Sequence, residues 1–325
     1  MSLRNKSVVV TGGAGFIGSH LVEYLYNSDV EHVFIVDNLF LGKIRNVVSL
    51  LDDHRVTLKV QDASNYEYMK MFIEKESIDV VFNLAVVPLP MSLVYPKVIC
   101  EDNVKITLTL LELQRQGFFK TFIHCSSSES YGSAVSPKMD ENHPMLPTTP
   151  YAASKAASDM FVQTYLNTFG GDMVIVRPYN NYGPRQNERS YAGVIPLTIK
   201  RIFNGEKPVI YGDGLQTRDY IYVEDTAKSF IDVYNNRNTR GRSINIATGE
   251  ETSILDMVRV ISKELGYNGG IVFSPPRNGD LRRHCADISL AKKLIGFFPS
   301  TPFDVGIKKT VSWYKSLFNS KEVVF

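Results

Sequence analysis

Apolar residues fall along this chain in two alternating rhythms. Short continuous runs rich in β-branched residues, Ser7–Thr11 (SVVVT) and His32–Val36, have the pattern of strands buried on both faces. Further runs of this kind lie at 56–60, 78–83, 120–125 and 172–177. Between several of them apolar positions recur at helical spacing, first at Ile17, Leu21, Val22 and Leu25, then through 96–116 and 151–169. Strands alternating with helices predict an α/β fold with a parallel sheet, because a parallel crossover lays its helix on a sheet face. Beyond residue 177 the rhythm loosens, and Pro and Gly cluster at 178–184, 205–214 and 275–279. A smaller C-terminal lobe, interleaved with the first, is expected there: 1–177 and 216–247 for the sheet lobe, 178–215 and 248–325 for the other. Residues 253–265 and 303–317 predict amphipathic helices, and the stretch after 318 is expected to fray.

Composition narrows the class. With 44% hydrophobic and 22% charged residues over 325 positions, the chain has ordinary globular composition and enough length for two lobes. No apolar run approaches the ~18–20 residues of a membrane span, and the start, MSLRNKSVVV, lacks the apolar centre of a secretory leader. A cytoplasmic protein with no membrane partner is expected. A net charge of +2 without a basic block argues against nucleic acid. Cys100, Cys125 and Cys285 are scattered and the six histidines show no paired ligand spacing, so reduced thiols and no metal are expected.

The string TGGAGFIGSHLVEYL follows the first strand and opens the first helix. Gly13-x-Gly15-x-x-Gly18 in that context is the dinucleotide fingerprint: glycines allow a tight turn, bring pyrophosphate against the amides of a helix N-terminus, and let helix and strand pack closely. Asp37 lies 19 residues beyond Gly18 at a strand end, where a carboxylate accepts from adenosine ribose hydroxyls and repels a 2′-phosphate. Neither Asn38 nor Leu39 supplies a cation. NAD is therefore favoured over NADP. Asp62 suits either a contact to the adenine edge or a plain turn.

Tyr151 and Lys155 stand four apart at the start of a helix that follows Pro147 and Pro150, so both face one side. A phenol with a reference pKa of ~10 is a poor base at neutral pH; a nearby lysine cation and an oxidised nicotinamide favour its phenolate, which accepts a hydroxyl proton during oxidation of the same carbon. Ser126-Ser127-Ser128-Glu129 directly follows the strand ending at Cys125, where a doubly wound sheet opens its ligand crevice. Each feature has a bland reading as well, a surface helical pair for the first and a polar turn for the second.

These pieces together resemble the extended short-chain dehydrogenase/reductase family, in its nucleotide-sugar epimerase/dehydratase branch. The matching segments are TGGAGFIGSH, Asp37-Asn38, Asn83-Leu84-Ala85, Ser127, Tyr151/Lys155, Asn180 to Arg185 (NNYGPR), Tyr211-Gly212-Asp213-Gly214 through Arg218-Asp219, and Arg277-Asn278-Gly279-Asp280. They run in order across nearly the whole chain. The resemblance implies a Rossmann-type doubly wound parallel sheet with an interleaved substrate lobe, and Ser127, Tyr151 and Lys155 as the catalytic triad. It implies cofactor contacts from Gly12, Gly15, Phe16, Ile17 and Gly18, from Asp37, Asn38, Asp62 and Ala63, and from Leu84, Ala85 and Tyr179. Substrate contacts implied are Pro88, Asn180, Arg185, Val194 and Tyr211, with Arg218 and Arg277 clamping the diphosphate and Asp280 holding the nucleoside ribose. Guanidinium groups suit that task because their fork matches phosphate oxygens.

Members of this branch begin by oxidising C4 of the sugar. Glu129 separates the reactions that follow: similar 4-epimerases carry a small residue there, 4,6-dehydratases carry Glu as base toward C5, and sugar-acid decarboxylases have Ser-Glu as well. The residue before it, an acid in one dehydratase subgroup, is Ser128 here, which leaves the general acid open. A UDP-N-acetylglucosamine 4,6-dehydratase, serving polysaccharide biosynthesis, is the favoured expectation. A UDP-sugar 4-epimerase, a UDP-glucuronate decarboxylase and a catalytically silent NAD-binding regulator stand behind it. His284 occupies a place where related epimerases use side-chain size to admit or exclude a 2-acetamido group, and the apolar segment Val86 to Ser92 is expected near the sugar. The resemblance also implies a homodimer paired through the helices near 96–116 and 151–169. Leu108, Leu110, Leu111 and Leu113 are more apolar residues than one buried stripe needs, which suits a second contact face and equally the core.

Overall fold

The computed structural model describes residues 2–188, 192–277 and 281–320. The chain first builds β1 (Ser7–Thr11), α1 (Phe16–Tyr26), β2 (His32–Asp37), β3 (Val56–Val60), α2 (Tyr66–Lys75) and β4 (Val80–Asn83). It continues through a short α3 (Leu89–Ser92), α4 (Pro96–Arg115), β5 (Thr121–Cys125), α5 (Pro150–Phe169) and β6 (Asp172–Pro178). The expected strands and long helices all form, within two residues of their expected ends. Beyond β6 come β7 (Asn180–Tyr182), α6 (Val194–Phe203), β8 (Val209–Tyr211), β9 (Thr217–Arg218), β10 (Tyr220–Tyr222), α7 (Val223–Asn235) and β11 (Ser243–Ile246). The chain closes with β12 (Thr252–Ser253), α8 (Ile254–Glu264), β13 (Val272–Ser274), α9 (Ser289–Ile295) and α10 (Phe303–Asn319).

Among the described residues seven strands form one parallel sheet in the order β11-β6-β5-β4-β1-β2-β3. The order reverses between β1 and β4, and a crevice opens beyond the strand ends at that switch point. Both faces are covered, which is why the strands read as unbroken apolar runs. On one face Leu21, Val22 and Leu25 of α1 and Phe230 and Val233 of α7 pack on Val8, Val10 and Ile35. On the other, α2, α4 and α5 bury Met69, Leu110, Leu111, Leu113 and Val162 against Val9, Val81 and Phe122. The second lobe has its own core, built from Ile195 and Ile199 of α6, Met257 and Ile261 of α8, and Ile307 and Tyr314 of α10.

Three expectations need correction. Residues 216–222 belong by pairing to the smaller lobe: Thr217 and Arg218 pair with Ser253 and Thr252, and Tyr220–Tyr222 runs parallel to Asn180–Tyr182. β9 and β10 span only two and three residues, and Ile221 of β10 still packs into the core of the sheet lobe. Conversely, Ala291 of α9 and the following Phe297 join the core of the sheet lobe. Leu110, Leu111 and Leu113 are fully buried in that lobe and offer no surface to a second copy.

Glycine is required where α1 leaves β1. Gly12 has φ +68°, and a Cβ there would lie 2.8 Å from the amide nitrogen of Ala85. A Cβ on Gly18 would collide with the carbonyl oxygen of Gly12. Gly18→Ala is therefore expected to lower stability by about 1–3 kcal/mol through overpacking, read as a lower urea midpoint with unchanged slope; an unchanged midpoint would show that the turn relaxes freely.

Candidate active site

A cavity of about 650 Å³ lies between the lobes, over the C-terminal ends of β1, β4 and β5. Its adenosine end is lined by Gly12, Gly15, Phe16, Ile17 and Gly18, by Asp37 and Asn38, and by Asp62 and Ala63. Leu84, Ala85 and Pro88 line the middle, and Ser127, Glu129, Tyr151, Lys155 and Tyr179 gather at the reacting end. Asn180, Arg185, Val194, Tyr211, Arg218 and Arg277 line the side formed by the second lobe. Thus widely separated expected residues converge on one cavity. Asp280 lies outside the described residues.

Asp37 closes β2 with its carboxylate buried, accepting from the amides of Ala14 (3.0 Å) and Leu39 (2.8 Å). Burial raises its pKa while those two amides oppose the rise. A carboxylate has about four acceptor positions, so two remain for ribose hydroxyls. Arg185 lines the same cavity, gives Nη2 to Glu23, and keeps Nη1 buried without a partner. A side-chain-free turn at a helix N-terminus, a half-satisfied carboxylate and an unpaired guanidinium nitrogen suit a dinucleotide with its pyrophosphate.

At the reacting end α5 sets the geometry. Thr149 caps it, its Oγ1 accepting from Ala152 (3.2 Å), and the Tyr151 amide donates to Ser92 Oγ (3.1 Å). Ser127 lies beside the Tyr151 phenol and acts to lower its pKa. Lys155 Nζ, almost fully buried, donates to the carbonyl of Cys125 at 2.6 Å. Burial pushes Tyr151 well above its ordinary value, opposed by Ser127, and pushes Lys155 below its own. The expectation that the lysine cation favours the phenolate is thus only partly met. Both groups are desolvated, and the protein alone leaves the phenol protonated at neutral pH.

Two expected residues stand apart from the cavity. Ser128 does not line it: Ser127 caps a 3-10 turn over Ser128–Tyr131, which buries Ser128 and turns its carbonyl toward His284 Nε2 at 3.1 Å. His284 is buried too, tilted by 33° against the Tyr179 ring with centroids 4.9 Å apart, and burial lowers its pKa to about 3. A neutral imidazole under the turn cannot gate the sugar by size. Its other nitrogen faces the Asn180 amide at 3.4 Å, so it braces two cavity-lining segments from behind.

Beneath this site runs a polar network that sequence reasoning missed. Asp159 Oδ2 accepts from Ser126 Oγ and from Arg177 Nε, each at 2.8 Å. Arg177 Nη1 donates to Tyr131 at 2.7 Å, and Tyr131 donates to Asn245 at 2.9 Å. Asn83 receives Thr11 Oγ1 on its oxygen, so its amide nitrogen faces His124 Nδ1 and assigns the histidine proton to Nε2, 3.7 Å from Asp159 Oδ1. The one available signal was Asp159 standing four residues beyond Lys155 on the same helical face.

Fold and site together define an NAD-dependent enzyme of the extended short-chain dehydrogenase/reductase class, of the nucleotide-sugar epimerase/dehydratase kind. The chain belongs to the GDP-mannose 4,6 dehydratase family, whose model matches residues 9–310. A UDP-glucose 4-epimerase of Mycolicibacterium smegmatis is 32% identical over 310 residues, covering 95% of this chain and 98% of that protein. Two solved structures are similar throughout. A UDP-N-acetylglucosamine 4-epimerase of Methanobrevibacter ruminantium, in complex with UDP-N-acetylmuramic acid, is 35% identical with TM-score 0.90, covering 97% and 99% of the two chains. A dTDP-glucose 4,6-dehydratase of Streptomyces venezuelae, with NAD and TYD bound, is 28% identical with TM-score 0.91, covering 97% and 98%. Relatives thus include both dehydratases and epimerases.

Asp159→Asn leaves the buried Arg177 without a charged partner and is expected to cost about 3–5 kcal/mol in urea unfolding. Asp232→Asn, which breaks the exposed pair with Lys228, should cost under about 1 kcal/mol. Equal costs would show that the buried network contributes nothing special.

Proposed function

We propose that the protein is a nucleotide-sugar 4,6-dehydratase that converts UDP-N-acetylglucosamine to a UDP-4-keto-6-deoxy sugar. One observation carries this reading: among the described residues lining the cavity, Glu129 is the carboxylate at the reacting end, while Asp37 and Asp62 sit at the adenosine end. Glu129 lies two residues beyond Ser127 in the turn, its amide donating to Ser127 Oγ at 3.2 Å, and its charge acts on Tyr151. It is placed to take the proton beside a transient ketone.

NAD, when bound, takes two electrons from the sugar carbinol and returns them. Tyr151 accepts the hydroxyl proton, with Ser127 sharing the hydrogen bond to the reacting oxygen. Lys155 supplies positive charge beside the phenol and fixes the end of β5 through the Cys125 carbonyl. Glu129 takes the acidified C5 proton and, now a carboxylic acid, gives it to the departing C6 hydroxyl, which leaves as water; the two electrons then return to C6 while solvent protonates C5. Arg218 and Arg277 hold the diphosphate. Arg218 is already anchored by bonds from Nη1 to the carbonyls of Thr217 and Leu281 at 2.8 and 2.6 Å, and Arg277 lies 3.9 Å over the Tyr211 ring.

The sugar reading rests on the segment Val86, Val87, Pro88, Leu89 and Pro90, which lines the cavity without a charged side chain. It suits an acetamido methyl and offers nothing to a sugar carboxylate, which weighs against the decarboxylase. A 4-epimerase is the second reading, and one observation favours it: with Ser128 turned away, no second acid adjoins Glu129 in sequence to protonate the departing oxygen.

The protein is also proposed to form a homodimer through α4 and α5. Leu93, Val94 and Tyr95 before α4, Val98 on it and Met160 on α5 are each more than half exposed, an apolar surface suited to a second copy.

Proton NMR of UDP-N-acetylglucosamine, UDP-glucose and UDP-glucuronate with the enzyme in heavy water distinguishes the reactions. Dehydration gives a new C6 methyl signal with deuterium at C5, epimerisation a galacto product without it, and decarboxylation a pentose. Glu129→Gln should lower methyl formation by about 10²–10⁴-fold while the nicotinamide is still reduced; full turnover by this variant would refute the base assignment. Light scattering at micromolar concentration should give twice the mass of the chain, and Val98→Glu combined with Met160→Glu should halve it. A monomeric wild type removes the dimer.

A further inference from the structure

An ion cluster at the adenosine end of the cavity has no part in the chemistry above. Glu188 reaches across from the second lobe with its side chain 1% exposed. Lys43 Nζ donates to both of its oxygens at 2.6 and 2.7 Å, and Arg45 Nη2 to one of them at 3.0 Å. Both cations come from the loop after β2 that starts at Asp37. That loop is pinned to the glycine turn: the Lys43 amide and Asn46 Nδ2 both donate to the Ala14 carbonyl, at 3.0 and 2.8 Å. Gly42 lies so close to Asp37 that a Cβ would sit 2.5 Å from Oδ1. Lys43, itself lining the cavity, is therefore next in the chain to the glycine that packs against the Asp37 carboxylate.

A 2′-phosphate in this place meets Asp37 and needs cations to offset both charges. The part of the loop pinned to the glycine turn holds two, Lys43 and Arg45, and a buried carboxylate from the other lobe engages both. Burial would raise the Glu188 pKa, but the hydrogen bond and charge of Lys43, with Arg45, bring it below its ordinary value, so the cluster stays ionised at neutral pH. Turning Lys43 toward a phosphate would strand that carboxylate away from water.

We propose that Glu188 is a cofactor-specificity residue: it holds Lys43 and Arg45 in a buried ion cluster and so withholds from the adenosine ribose the cations that a 2′-phosphate requires. Selection of NAD over NADP is then shared between Asp37 and a carboxylate of the opposite lobe. This depends on dinucleotide binding alone and is independent of the sugar or its reaction.

The test is calorimetric titration of NAD and, separately, NADP into the full chain freed of bound dinucleotide. In Glu188→Gln the ratio of the NADP to the NAD dissociation constant is expected to fall about tenfold, the scale of one unscreened short-range charge. Adding Lys43→Met should restore it. A ratio within about threefold of the wild type, including equal weakening of both cofactors, overturns the proposal and leaves Glu188 a lobe-bridging strap. Lys43→Met alone keeps the question open to disproof if Glu188→Gln fails to fold. With Lys43 already engaged, its loss should leave the wild-type ratio unchanged, and a selective loss of NADP binding would show that Lys43 already serves the phosphate.

Discussion

The reacting end of this enzyme depends on one buried carboxylate. Asp159 stands one helical turn beyond Lys155 and ties two elements to α5 at once, the loop after β5 through Ser126 and β6 through Arg177, while its other oxygen faces His124 of β5 at 3.7 Å, too far for a hydrogen bond. Such a charge costs several kcal/mol to desolvate, and only full pairing offsets that cost. Arg177 does the pairing, and its second bond runs to Tyr131, the last residue of the turn that begins beside Ser127. The turn carrying Ser127 and Glu129 is therefore gripped at its start through Ser126 and at its end through Tyr131. Preorganisation of this kind matters because misplacement of a reacting group by an ångström can cost about a hundredfold in rate.

The cofactor end obeys a different constraint, the close approach of backbone to backbone. Gly12 lies against Ala85 and Gly18 against Gly12, so β1, α1 and the loop after β4 meet with no side chain between them. Thr11 completes the junction, its hydroxyl accepting from the Ala85 amide at 3.2 Å while donating to Asn83. Asn83 passes the contact to His124, and His124 faces Asp159. A continuous line of buried polar groups thus links the glycine turn to the catalytic helix across the switch point of the sheet. The two ends of the cavity are held in register by the same framework.

Elements and cofactor were legible in the sequence because they rest on local signals. β-branched runs, helical spacing and glycines in a strand–turn–helix context depend on neighbours in the chain. What escaped depends on distant partners. Asp159 showed its helical phase, but Arg177, Tyr131 and Asn245 approach it only once β6, the turn and β11 are in place. Glu188 belongs to none of the motifs and is buried through its contacts with Lys43 and Arg45 of the other lobe. Ser128 was grouped with Glu129 by adjacency, yet a 3-10 turn sends successive side chains in different directions. The leucines of α4 misled for the opposite reason. Their excess over one stripe reflects a helix covered by both the sheet and α5, so the apolar surface available to a second copy lies at the helix start instead.

The placement of Glu129 carries an energetic argument about the reaction. Tyr151 is already pushed up by burial, and the charge of Glu129 raises it further. A carboxylate here therefore works against the proton transfer proposed for Tyr151, since stabilising the phenol over the phenolate leaves less phenolate to accept a proton at a given pH. An enzyme that only inverts a hydroxyl gains nothing from that opposition, and a small side chain after Ser128 would spare it. An enzyme that must afterwards remove a carbon-bound proton needs a base within reach of the same ring, and gains more from it than the first step loses. The tension between Tyr151 and Glu129 is thus understandable for an elimination and unexplained for a simple epimerisation.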